Sequence, residues 1–203
     1  TAKNNTNYTG TKTINFTINK IANTLTVSPK TGLVYNRNPQ ELVTPENAQG
    51  DVYYSVGTEL TADNYTTAGS KNEISKETNA GTYTVYYYTP GNTNYNAKAG
   101  YVDVSIAKAD LGTPVVTIDT DGKVKWENIT GATSYQVKIG NGEWETAASG
   151  AKSISTETTG TKTAAVRAVT TNGNYNTPSS EGTASKEVYS LTLNKGAGIS
   201  STT

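Results

Sequence analysis

Short runs of strictly alternating side chains, broken again and again by turn-forming residues, constrain this chain more than any other feature of it. Val52/Tyr54/Val56, Tyr83/Val85/Tyr87 and Val102/Val104/Ile106 each recur at period two, which places each set on one face of a strand. Asn36-Arg-Asn-Pro39, Asn79-Ala-Gly81 and Pro90-Gly-Asn92 separate the runs, and these residue types supply the backbone angles of turns. Nowhere does a period of 3.6 persist through three turns. Helix is therefore expected in under about 5% of residues, against roughly a third in an ordinary globular domain.

Composition supports strands of an unusual kind. Val, Ile, Leu and Phe together make 33 residues, whereas there are 37 Thr and 14 Tyr. β-Branching stiffens Thr, and a phenol offers an apolar body with a wet tip, so both suit a half-buried pleated surface. A low aliphatic share marks disorder only with a large net charge. Here 17 acids balance 17 bases. The expectation is a folded protein with thin cores.

The chain has no Cys, His or Met. That excludes disulfides and thiolate chemistry, and removes the side chain most used for neutral-pH proton transfer and soft metal ligation. Zero net charge and scattered Lys argue against nucleic acid or an anionic membrane as partner. No apolar run approaches the roughly 20 residues that span a bilayer. Nucleic-acid binding and membrane insertion are therefore not expected.

The sequence repeats itself. Asn5-Thr-Asn-Tyr8 recurs as Asn92-Thr-Asn-Tyr95 and more loosely as Asn172-Gly-Asn-Tyr175. The first two copies continue alike, Thr13-Ile-Asn-Phe-Thr-Ile-Asn-Lys20 against Tyr101-Val-Asp-Val-Ser-Ile-Ala-Lys108. A spacing of about 80–90 residues is far longer than a solenoid repeat and fits one sandwich domain. Residues 1–20 then read as the closing strand of a truncated preceding module, with Ile14, Phe16 and Ile18 on one apolar side. Residues 21–108 read as one sandwich, 109–188 as a second, and 189–203 as the opening of a truncated following module. In the second sandwich, Asp121-Gly122 and Asn141-Gly142 predict two-residue type I′ turns. Its inward sets are Val124/Trp126, Tyr135/Val137/Ile139 and, across 161–169, either Ala165/Arg167/Val169 or Val166/Ala168 with a bulge.

Leu33-Val-Tyr-Asn, Gln40-Glu-Leu-Val43, Asn79-Ala-Gly-Thr-Tyr-Thr-Val-Tyr86 and Asn92-Thr-Asn-Tyr95 resemble the bacterial Ig-like repeats of Gram-positive surface proteins. Residues 111–188 resemble a fibronectin type III module, through Pro114, the strand Val124-Lys-Trp126 and the following Tyr135-Gln-Val-Lys-Ile139. The tail Tyr189-Ser-Leu-Thr-Leu-Asn-Lys-Gly-Ala-Gly198 resembles the opening strand of internalin-type B repeats. These resemblances imply an all-β protein of two tandem Ig-like and fibronectin III-like antiparallel sandwiches, secreted or on the bacterial cell wall. They imply no enzyme activity and no cofactor. The expected role is a stalk or an adhesive module, with host or cell-wall glycan or protein as partner beside neighbouring modules of the same chain. The alternative is an accessory module of a secreted carbohydrate-acting enzyme.

Five constellations invite chemistry. Asp119-Thr-Asp121-Gly122 has the carboxylate spacing of a calcium loop, but lacks the further oxygen ligands and distal Glu, so a turn is expected. Glu143 and Glu145 flank Trp144 on a hairpin, where solvated charges protecting an edge are expected rather than a glycosidase pair. A Lys–Asn isopeptide bond needs an inward acid, and no inward position carries one. The sequons at Asn4, Asn7, Asn15, Asn64 and Asn128 are expected of a chain this rich in Asn and Thr. The aromatic set is the candidate ligand surface. If Tyr54, Tyr83 and Tyr87 face the core, then Tyr53, Tyr86, Tyr88 and Tyr101 share the outer face of adjacent strands. Either they pack across strands or they form a platform for a ligand. Trp126 is expected to be buried against Tyr135 or Ile139.

Overall fold

The computed structural model describes residues 12–147, 152–153 and 158–190. Almost everything regular in it is antiparallel sheet, and the α-helix among the described residues is a single turn, Tyr65–Ala68 (α1). The chain forms two compact units that interleave in sequence. The first gathers the residues up to Thr31, Pro39–Glu77 and Thr82–Val104; the second gathers Gly32–Asn38, Thr78–Gly81 and the residues from Ser105 on.

In the first unit β1 (Thr26–Pro29) pairs with β3 (Val43–Glu46), and β2 (Gln40–Glu41) pairs with β6 (Lys76–Glu77). A four-stranded sheet carries most of the structure. Its order is β5 (Ser70–Lys71), β4 (Tyr53–Val56), β7 (Gly81–Thr89) and β8 (Lys98–Ile106). Register aligns Tyr54 with Tyr87 and Val56 with Val85. Tyr54 and Val85 are buried, with Val52, Leu25, Leu42, Val43 and Val104. The Tyr87 phenol occupies the space that a side chain at Gly100 would need: a β-carbon there would sit 2.4 Å from its hydroxyl oxygen. Burial also pushes the Tyr54 phenol pKa upward, and that of Tyr83, where nearby Glu77 adds to the effect. Both rings stay neutral in and beside the core.

The second unit has two sheets that share one core. The three-stranded sheet runs β10 (Val116–Ile118), β11 (Lys123–Trp126), β14 (Lys152–Ser153); the other runs β13 (Glu145–Ala147), β12 (Ser134–Ile139), β15 (Gly160–Val169), β17 (Gly182–Val188). Val124 meets Tyr135, Val137, Ala164, Val166 and Ala168 in one hydrophobic cluster with Leu111 and Tyr175. Val166 and Ala168 face inward without any bulge, since pairing with β12 is unbroken from Ser134↔Val169 to Ile139↔Ala164.

Two expectations need correction, on the burial of Trp126 and on the turn types. Trp126 packs on Tyr135, with ring centroids 5.5 Å apart, but is half-buried, because the strand end that carries it lies at the rim of the cluster. Residues 12–20 carry no strand pairing, and Ile14, Phe16 and Ile18 are 73%, 82% and 85% exposed. The turns are not type I′. Gly122 alone has positive φ in Asp121-Gly122, and at the next hairpin the left-handed residue is Gly140. The first is a three-residue loop closed by Asp119 and Lys123, ending in a left-handed Gly as such loops do. Residues 1–11 and 191–203 lie outside the described residues, and with them Asn5-Thr-Asn-Tyr8 and most of the tail.

Tyr175 is central to the second unit. Its ring is 6% exposed and lies edge-on to Tyr35 at 5.3 Å. Its hydroxyl accepts from Arg37 Nε at 3.1 Å and Nη2 at 3.0 Å. A β-carbon at Gly131, where φ is +93°, would come within 2.6 Å of the ring, so glycine is required there twice over. Tyr175→Phe should cost about 1.5–3 kcal/mol, the usual loss when a hydrogen bond to a charged group is removed. Tyr175→Ala should cost about 3–5 kcal/mol. Urea midpoints of both variants would check this, and a Tyr175→Phe midpoint equal to that of the parent would show that the hydroxyl contributes nothing.

Candidate functional site

The outer face of the first unit's large sheet carries the tyrosines singled out above. Cross-strand register sets Tyr53 opposite Tyr88 and Ser55 opposite Tyr86. The rings of Tyr86 and Tyr101 approach to 5.7 Å. The parity follows from the pleat, but the four phenols do not form one open patch. After β4 the chain loops back over this face, and its one helical turn brings Tyr65 down on it. The Tyr65 ring stacks on Tyr88 at 4.7 Å and meets Tyr53 edge-on at 4.7 Å. Tyr88 is consequently 8% exposed. Leu60 is buried beneath the same loop, and Gly69 lets it close, since a β-carbon there would lie 3.0 Å from that of Tyr53 and 3.1 Å from a Leu60 methyl.

The face is thus divided. Tyr53, Tyr65 and Tyr88 form a satellite aromatic core under α1. Tyr86 and Tyr101 remain as the accessible pair, with Tyr101 at 63% exposure. Sequence reasoning missed Tyr65 because nothing about a polar loop between two strands says where its tip will land. The turn itself had a signal. Asn64 Oδ1 accepts from Thr61 N at 2.7 Å, and its amide donates to Glu59 O at 2.9 Å, a side-chain closure for which Asn is well suited.

The acidic candidates serve structure. Asp119 Oδ1 accepts from the backbone of Asp121 at 3.0 Å and Lys123 at 2.9 Å, while Oδ2 pairs with Lys125 at 2.8 Å. Lys186 donates to the carbonyls of Asp119 and Thr120. The lone pairs that a cation would take are engaged by N–H groups, and no group of three metal-binding side chains occurs among the described residues. Glu145 pairs with Lys152. Glu143 and Glu145 are exposed. Neither lies in an enclosed cleft.

A second aromatic surface lies on the second unit, around Trp144. Trp144 precedes β13 and has Lys138 Nζ 4.8 Å and the Arg167 guanidinium carbon 4.2 Å from its ring centroid. Arg167 is held by donating from Nε to Gln136 Oε1 at 2.7 Å. Both cations stand on outward positions of β12 and β15, beside a hollow of about 460 Å³ whose floor includes Ala165. A tryptophan on a hairpin does signal this surface, but the cations come from strands six and twenty-three residues away.

Two measurements test these assignments. The salt bridge to Lys125, reinforced by the two backbone donors, holds the Asp119 carboxyl below its ordinary value, and Asp119 in turn raises Lys125. A depressed acid contributes stability above its unfolded pKa of about 3.9, and loses it as pH falls through the lower folded value. The raised Lys125 contributes below about 10.4 and loses that as pH rises through its folded value. Asp119 should therefore titrate below the ordinary aspartate range in an acid NMR titration, and Asp119→Asn should flatten the acid limb of the stability curve. Tyr65→Ala should strip the cover from Tyr88, costing about 1–3 kcal/mol through two lost ring pairs and their buried area. Acrylamide quenching of tyrosine fluorescence would rise in that variant; unchanged quenching would mean that the ring is not a cover. No protein-family model matches the sequence, and no curated protein matches it.

Proposed function

We propose that this chain is a non-catalytic tandem of an Ig-like and a fibronectin III-like sandwich module from a secreted or cell-surface bacterial protein, acting as a spacer or an adhesive module. The observation that carries the reading is a repeated joint. In the first unit the Asn92-Thr-Asn-Tyr95 turn runs parallel to Ile21, through Ile21 N to Asn94 O at 2.9 Å and Asn96 N to Ile21 O at 2.9 Å. In the second, Asn172-Gly-Asn-Tyr175 runs parallel to Ala109, through Ala109 N to Asn174 O at 3.0 Å. Ile21 and Ala109 each follow the lysine that ends a related sequence, Thr13–Lys20 and Tyr101–Lys108. The same device opening successive units is what an array of interchangeable modules requires.

The carboxylates with shifted titration support the non-catalytic half. Glu41, Asp51 and Asp119 are all lowered, chiefly by hydrogen bonds from Lys30, Lys71 and Lys125 respectively. Each is engaged in holding strands and turns. The divided tyrosine face supports the spacer reading over a broad tyrosine platform. The Tyr86–Tyr101 pair, of which Tyr101 is exposed, and the Trp144 surface support an adhesive role.

Replacing this chain in its parent protein by an unrelated β-module pair of similar length separates the two roles. A spacer predicts that cells keep their attachment and surface display; loss of attachment with display intact would assign the contact to this chain. An antibody to the chain should label intact, unpermeabilised cells. Labelling only after permeabilisation would overturn the surface location.

A further inference from the structure

The outer face of the sheet β13-β12-β15-β17 is arranged in cross-strand rows. One row runs Thr146, Gln136, Arg167; the next runs Lys138, Ala165, Thr183; the next has Thr163 beside Ser185. Ala165 is small among long or branched neighbours, so a hollow of about 460 Å³ forms over it, walled by Lys138, Thr163, Glu181, Thr183 and Ser185. Trp144 stands at its side, linked to it through Lys138.

Two cations share one indole ring. Lys138 and Arg167 lie against the same indole ring, so the two cations are no farther apart than the sum of their distances to it. Among the described residues, neither has a carboxylate within ion-pair distance, whereas Lys30, Lys71, Lys76, Lys125 and Lys152 each do. Like charges held this close repel, and an anion placed between them relieves that repulsion. Beside them the wall is hydroxyl: Thr163, Thr183 and Ser185 donate and accept equally. The indole adds an apolar face on which the C–H side of a sugar ring can stack.

We infer that this hollow binds an acidic oligosaccharide, with a uronate carboxylate between Lys138 and Arg167, ring hydroxyls on Thr163, Thr183 and Ser185, and a pyranose against Trp144. The inference rests on the adhesive half of the reading above, and it names the ligand class. A neutral glycan would leave the cation pair unanswered. A simple polyanion would leave the hydroxyl wall and the indole unused. Glu181, on the far wall, sets direction: it repels a second carboxylate and accepts from a hydroxyl.

The test uses the whole 203-residue chain, a galacturonate hexamer, a neutral glucose hexamer and a dextran sulfate fragment of equal length. Backbone amide shifts on adding the galacturonate hexamer should centre on Lys138, Ala165 and Thr183, weaken with salt as surface electrostatics do, and be absent with the neutral hexamer. Trp144→Ala and Lys138→Gln should each weaken binding about tenfold or more, about 1.4 kcal/mol. Ala165→Leu fills the hollow from its buried floor and should abolish binding, and Thr183→Leu, at an exposed position of the wall, should do so at an unchanged thermal midpoint; the second variant keeps the test decisive if Trp144→Ala or Ala165→Leu unfolds. No shifts with the galacturonate hexamer, shifts centred elsewhere, equal binding of the neutral hexamer, or dextran sulfate binding as tightly and insensitive to Ala165→Leu would each overturn the assignment. Such a failure leaves the spacer reading standing, because module replacement reads attachment and display without reference to any sugar.

Discussion

Everything in each unit depends on fastening a first segment to a turn that lies most of a domain later in sequence. An Asn-x-Asn-Tyr turn does this in both units. Its leading Asn closes the turn with its own side chain. Asn92 Oδ1 accepts from Asn94 N at 2.9 Å and Tyr95 N at 3.0 Å, and Asn172 Oδ1 accepts from Asn174 N at 3.0 Å. With the turn rigid, its backbone can present a carbonyl to Ile21 or Ala109 in a short parallel ladder. Parallel pairing this brief is weak by itself. It holds because the second unit adds side chains to it, Asn176 donating to Asp110 at 2.7 Å and the Tyr175 ring filling the cluster beside Leu111. The constraint is thus local in its chemistry and long-range in its effect.

Thin cores explain why tyrosine takes the place of leucine. With few aliphatic side chains to bury, the chain uses phenols whose bodies fill space and whose hydroxyls must then be satisfied. The Tyr135 hydroxyl accepts from Ile129 N at 2.6 Å, and the Tyr175 hydroxyl accepts from Arg37. Arg37 takes a left-handed backbone, φ 71°, to reach it, a conformation that costs a non-glycine residue energy unless neighbours hold it. Asn36 contributes, its Oδ1 accepting from Asn38 N at 2.9 Å. Each buried phenol therefore fixes a turn as well as filling a volume.

Alternation was enough to read the long strands from sequence. The runs around Tyr54, Val85, Val104, Tyr135 and Val137 face inward as period two requires. What could not be read was set by chain not in strands. Tyr88 has the parity of an outward residue and the burial of a core one, because Tyr65 lands on it from a loop with no periodicity to interpret. Two-residue strands such as Ser70–Lys71 and Tyr175–Asn176 are too short to show any period. Trp126 had the right neighbour but less cover than a tryptophan suggests, since register tells which face a residue takes and not how far along that face the opposing sheet extends. The tyrosine surface was half visible for the same reason, and the Trp144 surface was hidden by its dependence on three strands at once.

The segment Ala164-Ala-Val-Arg-Ala-Val169 shows how one strand can meet two demands with the same residue type. On its inner side Ala164 and Ala168 are small because large rings, Tyr135 and Tyr175, already occupy the cluster; bigger side chains there would force the sheets apart. On its outer side Ala165 is also buried, in a row whose other members, Lys138 and Thr183, are longer or branched. An outward strand position beside charged and β-branched neighbours normally gains from a β-branched residue, which has higher strand preference and packs across the pleat. Alanine there forgoes that gain. The inner alanines make room for buried rings, whereas the outer one forms the floor of a hollow that lies beside the two cations gathered on Trp144.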